Sequence, residues 1–249
     1  MYIAINGYLD MTAAEIEHST PLPPNVAWMA CHFSPYTRGL SNRPKELPPG
    51  AMLILNDITP IHGHDPEEVA AQLGARAEAL ECGGVLLDFQ RPGSEETAAL
   101  VQHLPAALPC PVAVSEPYAA DLDCPVFLPP VPHHVPLQEY LAPWQGREIW
   151  LEMALDSEVI TLTPEGAAIA PLPPEEQFDG GHWEETLHCH YHIQIEEEQA
   201  RFTLFRSRED LDALLEEAES LGVTTAVGLY QELGKPNTFP RGEGGTAEP

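Results

Sequence analysis

Basic residues are scarce in this sequence, and their scarcity argues against two classes of partner. The chain of 249 residues has 11 Lys and Arg against 39 Asp and Glu, which gives a formal net charge of −28. Nucleic acids and anionic membranes are bound through clusters of basic side chains. We therefore expect neither a nucleic acid nor a membrane as partner, and the acidic excess is typical of a solubilising surface.

Long apolar runs are also missing. No stretch approaches the roughly 20 apolar residues that a membrane-spanning helix needs. The N-terminal sequence MYIAINGYLDMTAAEIEHS lacks the basic start and the apolar centre of a signal peptide. The five cysteines form no C-x-x-C motif, and four of them lie in or beside strand-like apolar runs, which indicates reduced and buried thiols. The predicted location is the cytoplasm. The cysteines are Cys31, Cys82, Cys110, Cys124 and Cys189.

The motifs of several common enzyme classes are absent. The sequence has no phosphate-binding loop, no dinucleotide fingerprint, no nucleophile elbow and no H-E-x-x-H zinc motif. We therefore expect no cofactor. The apolar content of 43% is ample for the core of one large domain. Nothing in the sequence indicates an oligomeric state.

Eight short apolar runs recur along the chain and predict buried strands. Most are apolar at both alternating positions, as in parallel strands that are covered on both faces. Three helical patterns lie between them: DPEEVAAQLGARAEALE, the segment 94–104, and SREDLDALLEEAESLG. Asp65 and Ser207 are the expected N-caps of the first and the last of these helices. The predicted strands are Tyr2–Asn6, Val26–Phe33, Met52–Asn56, Val85–Phe89, Val112–Ser115, Val126–Leu128, Ile149–Met153 and Thr225–Tyr230.

The alternation of strands and helices predicts the fold. A strand–helix–strand order favours a parallel sheet with right-handed crossovers, and eight strands in one unit favour a closed barrel. The predicted class is α/β, an irregular (β/α)8 TIM barrel in a single domain over residues 1–235, with a polar tail at 236–249. Before the last strand, EVITLTPEGAAIAPL and LHCHYHIQIEEEQARFTLFRS look like antiparallel hairpins, which predicts a β-rich insertion at about 157–205.

The stretch GGVLLDFQRPG, residues 83–93, carries a family resemblance. Together with the preceding AMLILNDITPIHGHDPEEVAAQLGARAEALEC, it resembles the third strand, third helix and fourth strand of family 18 glycoside hydrolases, the chitinase-like barrels. That family has a DGxDxDxE motif, then an aromatic residue and often a proline. The late hairpins, ARFTLFR, the last helix and TAVGLYQELG resemble its spore-cortex-type members. The residues that match the motif are Gly84, Asp88, Phe89 and Pro92.

The motif departs from the family at its catalytic position. The family's first two aspartates correspond to Gly83 and Leu86, and its catalytic glutamate corresponds to Gln90. The resemblance implies that the glutamate protonates the leaving oxygen while the aspartate at position 88 holds the substrate's acetamido group, which acts as nucleophile. A glutamine can hydrogen-bond a glycosidic oxygen but has no proton to transfer near neutral pH.

Polar side chains at the predicted strand ends are the candidate site residues, because the carboxyl ends of barrel strands meet on one face. Strand alternation places Leu86, Asp88 and Gln90 on the face that lines the barrel mouth. Gln231 takes the place of the family's last-strand tryptophan, with Tyr230 beside it as a substitute platform. Further strand-end residues are Glu116, His133, His134, Glu152 and Glu232. The predicted ligand-binding residues are Asn56, Asp57, Asp88, Gln90, Tyr118, Tyr230 and Gln231.

Three functions are open at this point. The first is a catalytically inactive barrel that binds a glycan or a peptidoglycan-like ligand in its mouth. The second is an active glycosidase in which Asp88 pairs with a relocated acid, Glu116 or Glu152; such carboxyl pairs lie about 5–5.5 Å apart in retaining enzymes and about 6.5–9.5 Å apart in inverting ones. The third is a structural or interaction protein that uses the hairpin insertion. The candidate catalytic residues are Asp88, Gln90, Glu116 and Glu152.

The segment LHCHYHIQI is rich in histidine. It places His188, His190 and His192 on one face of a predicted strand, and an H-x-H pair is able to chelate a transition metal. Its position in the late hairpins favours an exposed polar face instead. We therefore expect no metal site, and these three histidines are the only candidates for one.

Overall fold

The structure is a computed structural model that describes residues 1–5, 25–172, 180–196, 198–229 and 232. Its strands form one nine-stranded sheet and one five-stranded sheet. The strands are β1 (Tyr2–Ile5), β2 (Val26–Phe33), β3 (Leu40–Ser41), β4 (Met52–Asn56), β5 (Gly84–Asp88), β6 (Val112–Ser115), β7 (Val126–Leu128), β8 (Ile149–Met153), β9 (Ser157–Thr163), β10 (Gly166–Pro171), β11 (His182–Glu184), β12 (Cys189–Glu196), β13 (Gln199–Phe205) and β14 (Val223–Leu229). The helices are α1 (Pro66–Ala79), α2 (Glu95–Ala107), α3 (Glu116–Ala119), α4 (Leu137–Leu141) and α5 (Arg208–Ser220).

The larger sheet is curled and almost entirely parallel. Its order is β1-β14-β8-β7-β6-β5-β4-β2-β3, and β1 also pairs in parallel with β2, so that both ends of the row of eight parallel strands meet at β1. The short strand β3 is antiparallel to β2 at the edge. Each of the eight predicted apolar runs overlaps one of these parallel strands, with ends that differ by up to two residues. The mixed α/β class and a barrel-like sheet are therefore confirmed.

Three helices begin where the sequence predicts them, because their caps are encoded locally. Asp65 accepts hydrogen bonds from the backbone N–H groups of Glu67 at 2.8 Å and Glu68 at 3.2 Å, which satisfies the first turn of α1. Ser94 caps α2, and Ser207 forms a capping box with Asp210 at the start of α5. Helix α2 ends three residues later than predicted, at Ala107.

The other connections are less regular. Helices α3 and α4 have four and five residues, and α4 runs directly into a 3-10 turn at Ala142–Trp144. Between β2 and β4, the structure contains β3 and no helix. The connection from β1 to β2 lies outside the described residues. In the described part of the chain, none of the helices combines the length and the apolar character needed to cross a membrane.

The smaller sheet is formed by the segment in which the sequence predicts hairpins. Its order is β10-β9-β13-β12-β11, and every neighbouring pair is antiparallel. This sheet lies between β8 and α5 in the chain. It is joined to the larger sheet by the buried Arg206, whose guanidinium donates to the carbonyl oxygens of Val131, Leu187 and His188 at 2.6–3.1 Å.

Two apolar clusters pack against the curled sheet, one on its outer face and one on its inner face. The outer cluster joins the strands to the helices, and includes Leu73 of α1 and Leu100 of α2. The inner cluster fills the space that the sheet encloses. It has room for the indole of Trp150 because the nearest residue of β5 is Gly84. The inner residues are Ala27, Met52, Ile54, Leu86, Ala113, Phe127, Trp150 and Val227.

A side chain at Gly84 is expected to destabilise the fold. An added Cβ would lie 2.9 Å from Cη2 of Trp150 and 3.4 Å from the carbonyl oxygen of Pro111, so the indole would have to move within a closed core. We expect Gly84→Ala to lower the free energy of unfolding by about 1–3 kcal/mol, measured by urea denaturation.

Gly74 in α1 supplies the matched control, because a Cβ there would meet its neighbours at ordinary distances of 3.5 and 3.6 Å. Gly74→Ala is expected to raise the free energy of unfolding by about 0.5–1 kcal/mol through helix propensity. Equal effects of the two substitutions would contradict the assignment of Gly84 as the residue that admits the indole.

Candidate functional site

The carboxyl end of β5 carries the candidate site. Leu86 belongs to the inner cluster, whereas Val85 and Leu87 belong to the outer one. Asp88 is the last residue of the strand and is half-buried on the same face as Leu86. Phe89 is fully buried in the outer cluster, and Gln90 is exposed. The structure therefore has the alternation that the sequence predicts for this strand.

Asp88 and Gln90 are joined by a hydrogen bond. Nε2 of Gln90 donates to Oδ1 of Asp88 at 2.7 Å. Burial raises the pKa of Asp88 above its ordinary value, and the charge of Asp57 adds to this, while hydrogen bonds from Gln90 and Ser115 oppose it. The Gln90 amide is thus a hydrogen-bond donor to Asp88.

Asp57 holds the turn that follows β5. It is buried, and its two carboxylate oxygens accept the backbone N–H groups of Gln90 at 3.0 Å and Arg91 at 2.8 Å. The Arg91 side chain returns to the same loop and donates to the carbonyl oxygens of Asp57 and Ile58, both at 2.6 Å. Both carboxylate oxygens of Asp57 are therefore engaged by the backbone, although the sequence analysis predicts a ligand-binding residue here.

Asn56 also makes backbone contacts. Its Nδ2 donates to the carbonyl oxygen of Met29 at 2.6 Å, and its Oδ1 accepts the N–H of Ile58 at 3.2 Å. The side-chain amide thus links the end of β4 to the middle of β2. Both polar ends of this predicted ligand-binding side chain make contacts inside the protein.

Tyr118 and Ser115 support the same turn from β6 and α3. The Tyr118 hydroxyl donates to the carbonyl oxygen of Arg91, and its ring packs edge-on against Phe89. Ser115 donates to the carbonyl oxygen of Leu87 and accepts the N–H of Phe89, both at 2.9 Å. The sequence analysis did not propose Ser115 as a site residue, although it is the polar last residue of a predicted strand.

Glu152 is the most strongly perturbed carboxyl group of the site. It lies two residues after Trp150 on β8, on the same face of the strand, and is half-buried. Burial is the main cause that raises its pKa to about 7, and the negative charges of Asp88, Glu232 and Asp156 raise it further. The structure thus brings Glu152 into electrostatic contact with Asp88.

Two other predicted site residues, Glu116 and Glu232, lie in the surroundings of Tyr140 and Glu152 respectively. Glu116 is exposed at the start of α3, and the charges of Glu116 and Glu152 both contribute, after burial, to a raised pKa of Tyr140. Oε2 of Glu232 accepts the N–H of Leu155 at 3.0 Å. Tyr230 and Gln231, which the sequence also predicts as ligand-binding residues, lie outside the described residues.

His133 is a buried, neutral histidine between the two sheets. Its Nε2 lies 3.6 Å from Oδ1 of Asp156. Burial and the nearby positive charge of Arg206 lower its pKa to about 3, so it is uncharged at neutral pH. Its neighbour His134 is partly exposed, with Nδ1 2.7 Å from Oε1 of Glu158. Sequence reasoning missed Arg206, whose only signal is a basic residue at the end of an apolar strand.

The histidine-rich segment contacts α5. His188 lies in the turn before β12, with a positive φ of 47°, and not in the strand as predicted, because the chain reverses there to enter β12. Its Nε2 contacts Oε2 of Glu217, and Nδ1 of His190 lies 2.8 Å from Oδ2 of Asp210. The ring of His192 stacks on Phe205. Among the described residues, no group of three His, Cys, Asp or Glu side chains is arranged to hold a metal ion.

The chain is similar in fold to several solved structures. The spore cortex-lytic enzyme SleL of Bacillus cereus matches over 94% of this chain and 70% of its own, at 11% identity and a TM-score of 0.55. A chitinase from Chromobacterium violaceum ATCC 12472 matches over 94% and 95%, at 10% identity and a TM-score of 0.55. SleL of Bacillus megaterium QM B1551 matches over 92% and 69%, at 12% identity and a TM-score of 0.50.

The chain has a glycoside hydrolase-like fold. This likeness is one of structure alone, at identities of 10–12%. No protein-family model matches the sequence, and no curated protein is similar to it. The fold likeness agrees with the chitinase-like resemblance in the β5 region, and it does not extend to the chemistry of the site.

The raised pKa of Glu152 predicts how stability depends on pH. The ordinary pKa of 4.5 applies to the unfolded chain, and the folded value is about 7. Between these values the folded protein binds more protons than the unfolded chain, so the free energy of unfolding falls as the pH rises from about 4.5 to about 7. We expect Glu152→Gln to be up to about 3 kcal/mol more stable than the wild type at about pH 8, with little difference at about pH 4.

Urea denaturation at the two pH values measures this difference. Glu78→Gln, which removes an exposed carboxylate from the outer surface of α1, is the control for the loss of one negative charge and should change stability by less than about 0.5 kcal/mol. A Glu152 carboxyl that titrates near its ordinary pKa by NMR would contradict the prediction.

Proposed function

We propose that the chain is a (β/α)8 barrel of the glycoside hydrolase family 18 type, with a β-rich insertion at 157–205, and that its mouth binds a glycan or peptidoglycan-like ligand without cleaving it. The domain spans residues 1–235 and the polar tail spans 236–249. The glycoside hydrolase-like fold supports the location of the site, because barrels of this class bind ligands at the carboxyl ends of their strands.

Gln90 carries the proposal that no hydrolysis occurs. Protonation of the leaving oxygen requires an acid, and an amide at that position has no proton to give near neutral pH. The hydrogen bond from Nε2 of Gln90 to Asp88 leaves the amide oxygen of Gln90 as an acceptor for a sugar hydroxyl. The exposed position of Gln90 makes it reachable for a ligand in the mouth.

Asp88 supports the proposal that the ligand carries an acetamido group. In family 18 enzymes the equivalent aspartate holds that group. Here Asp88 is half-buried at the end of β5, and burial raises its pKa. A donor that approaches its carboxylate, such as the N–H of an acetamido group, would offset part of the cost of burying the charge.

Binding should therefore depend on Asp88. We expect isothermal titration calorimetry with N-acetylated chitin or peptidoglycan fragments to show binding to the wild type. Asp88→Asn removes the charge and one acceptor at constant shape, and should weaken binding at least about tenfold, the loss of one charged hydrogen bond. Glu78→Gln, far from the strand ends, should bind as the wild type does. Absence of heat for every fragment would count against the proposed function.

Glu152 favours a second candidate, an active glycosidase. A carboxyl group with a pKa of about 7 is protonated in about half of the molecules at neutral pH, so it is able to serve as a general acid. Catalytic acid and base pairs are often two carboxyl groups whose surroundings shift their pKa values, and here burial shifts those of Asp88 and Glu152. In this reading Glu152 donates the proton and Asp88 serves as the second carboxylate. The exposed Glu116 has no comparable support in the structure.

A hydrolysis assay separates the two candidates. We expect the wild type not to turn over a chromogenic aryl glycoside of N-acetylglucosamine. Gln90→Glu should gain activity, because a carboxyl group placed where Nε2 now lies 2.7 Å from Asp88 would share one proton with it and so supply an acid. The proton transfer is worth on the order of 10²–10⁴ in rate. Wild-type turnover that is lost in Glu152→Gln and kept in Glu116→Gln would establish the second candidate instead.

A further inference from the structure

Two cysteines precede neighbouring strands at the amino end of the curled sheet. Cys82 stands two residues before β5, and Cys110 stands two residues before β6. Both are half-buried, both pack against the outer apolar cluster, and neither is in a disulfide in the structure. They lie at the opposite end of β5 from Asp88 and Gln90, so the candidate site does not use them.

The hydrogen bonds of the sheet fix the relative position of the two chain segments. Val85 of β5 is level with Val112 of β6, and its N–H donates to the carbonyl oxygen of Pro111 at 2.9 Å. Neighbouring strands lie about 4.8 Å apart. Two residues further back on each chain, Gly83 is therefore level with Cys110 at about this distance.

Gly83 continues the line of β5, and Cys82 joins it to the end of α1. The N–H of Gly83 donates to the carbonyl oxygen of Ala51 at 2.9 Å, which extends the pairing of β5 with the chain before β4. The N–H of Cys82 donates to the carbonyl oxygen of Ala77 in the last turn of α1, also at 2.9 Å. One step of the chain separates Cys82 from Gly83, so the Cα atoms of Cys82 and Cys110 are about 6 Å apart.

The two side chains occupy the same region. Both contact the outer apolar cluster, and Gly83, which lies between them on β5, has no side chain to keep them apart. Burial raises the pKa of both thiols, and the charge of Cys110, once it has ionised, helps to raise the pKa of Cys82 to about 11. Cysteines in disulfides have Cα atoms about 4.4–6.8 Å apart, so the pair has the spacing of a disulfide.

Cys124 shows that this spacing is particular to the pair. It also stands two residues before its strand, β7, and is half-buried. The register of β6 with β7 places Val126 level with Val114, and therefore Cys124 level with Val112. Cys110 lies two residues further along, so its Cα is about 8 Å from that of Cys124, too far for a disulfide.

We propose that Cys82 and Cys110 form a reversible disulfide that links the amino ends of β5 and β6, with a low-molecular-weight disulfide such as glutathione disulfide as the oxidant. The loop that it closes, residues 82–110, contains β5 and α2. In a reducing compartment the two thiols stay reduced, and the disulfide forms when the compartment becomes oxidising. This inference does not depend on the proposed ligand of the barrel mouth.

The chemistry is thiol–disulfide exchange in two steps. The Cys110 thiol loses its proton to solvent, and the thiolate attacks one sulfur of glutathione disulfide and displaces a glutathione thiolate. The Cys82 thiolate then attacks the Cys110 sulfur of this mixed disulfide and displaces the second glutathione. The two protons lost by the cysteines are taken up by the two glutathione thiolates, so two electrons pass from the protein to the oxidant.

Alkylation and mass spectrometry of the full chain test the proposal. The protein is incubated with glutathione disulfide at about pH 8.5, then unfolded and treated with N-ethylmaleimide. We expect two of the five thiols to resist alkylation without a gain of glutathione mass, and dithiothreitol to restore them. The midpoint of thermal unfolding should rise by about 5–10 °C on oxidation, because the link restricts the unfolded chain.

Single substitutions assign the disulfide to the pair. Cys82→Ser should retain one glutathione on Cys110, because the thiol that displaces it is missing, and Cys110→Ser should form no internal disulfide. Cys124→Ser is the matched control and should still lose two thiols to oxidation. Five alkylated thiols in the oxidised wild type would overturn the proposal. An internal disulfide that persists in Cys82→Ser or Cys110→Ser, or a disulfide that joins two copies of the chain, would also overturn it.

Discussion

The buried carboxylate of Asp57 fixes the geometry on which the candidate site depends. It accepts two consecutive backbone N–H groups from the turn after β5, those of Gln90 and Arg91. Without it, these two donors of an exposed turn would have water as their partner, and the turn would lose its link to β4. The turn in turn presents the Gln90 amide to Asp88 and the carbonyl oxygen of Arg91 to Tyr118. Asp57, which follows β4, thus positions the candidate site at the end of the neighbouring strand β5.

The elements of the fold were predictable because their signals are local. Asp65 and Ser207 cap the helices whose first turns they precede, and the apolar runs carry their own strand pattern. The last turn of α2 was missed because the sequence prediction ended the helix before Pro105. Proline breaks helices by losing an N–H, yet the helix tolerates it here and closes on Leu104 through the N–H of Leu108. At Pro105, tertiary packing therefore outweighs the low helix propensity of proline.

The site was less predictable because its chemistry comes from residues distant in sequence. That Asn56 and Asp57 follow a strand is visible in the sequence, but their engagement by the backbone of Met29 and Gln90 is not. The raised pKa of Glu152 likewise requires burial and the charge of Asp88, which is 64 positions away. Position 188 adopts a left-handed conformation that no strand pattern of histidines predicts. Strand-end position identifies candidates, and three-dimensional contacts decide their roles.

A shared fold does not determine the reaction. In this chain the reaction depends on which group is able to donate a proton to the leaving oxygen. Family 18 chemistry places the acid two residues after the aspartate on one strand, so both groups move together with β5. In this chain the residue two positions after Asp88 is the amide Gln90, and the carboxyl group with the raised pKa of about 7, Glu152, is on β8. A proton donor on another strand reaches the ligand from a different direction, so it would suit a different orientation of the scissile bond. The proposed absence of hydrolysis therefore rests on Gln90, and the raised pKa of Glu152 is the observation that competes with it.

Arg206 connects the curled sheet with the five-stranded sheet. Its buried guanidinium is stabilised by three carbonyl oxygens, one from the loop after β7 and two from the turn before β12, and its charge also lowers the pKa of Asp156 against other influences. Asp156 is one of the carboxylates that raise the pKa of Glu152. A buried cation with all these partners holds the five-stranded sheet in one orientation against the curled sheet, because any displacement would leave its charge uncompensated.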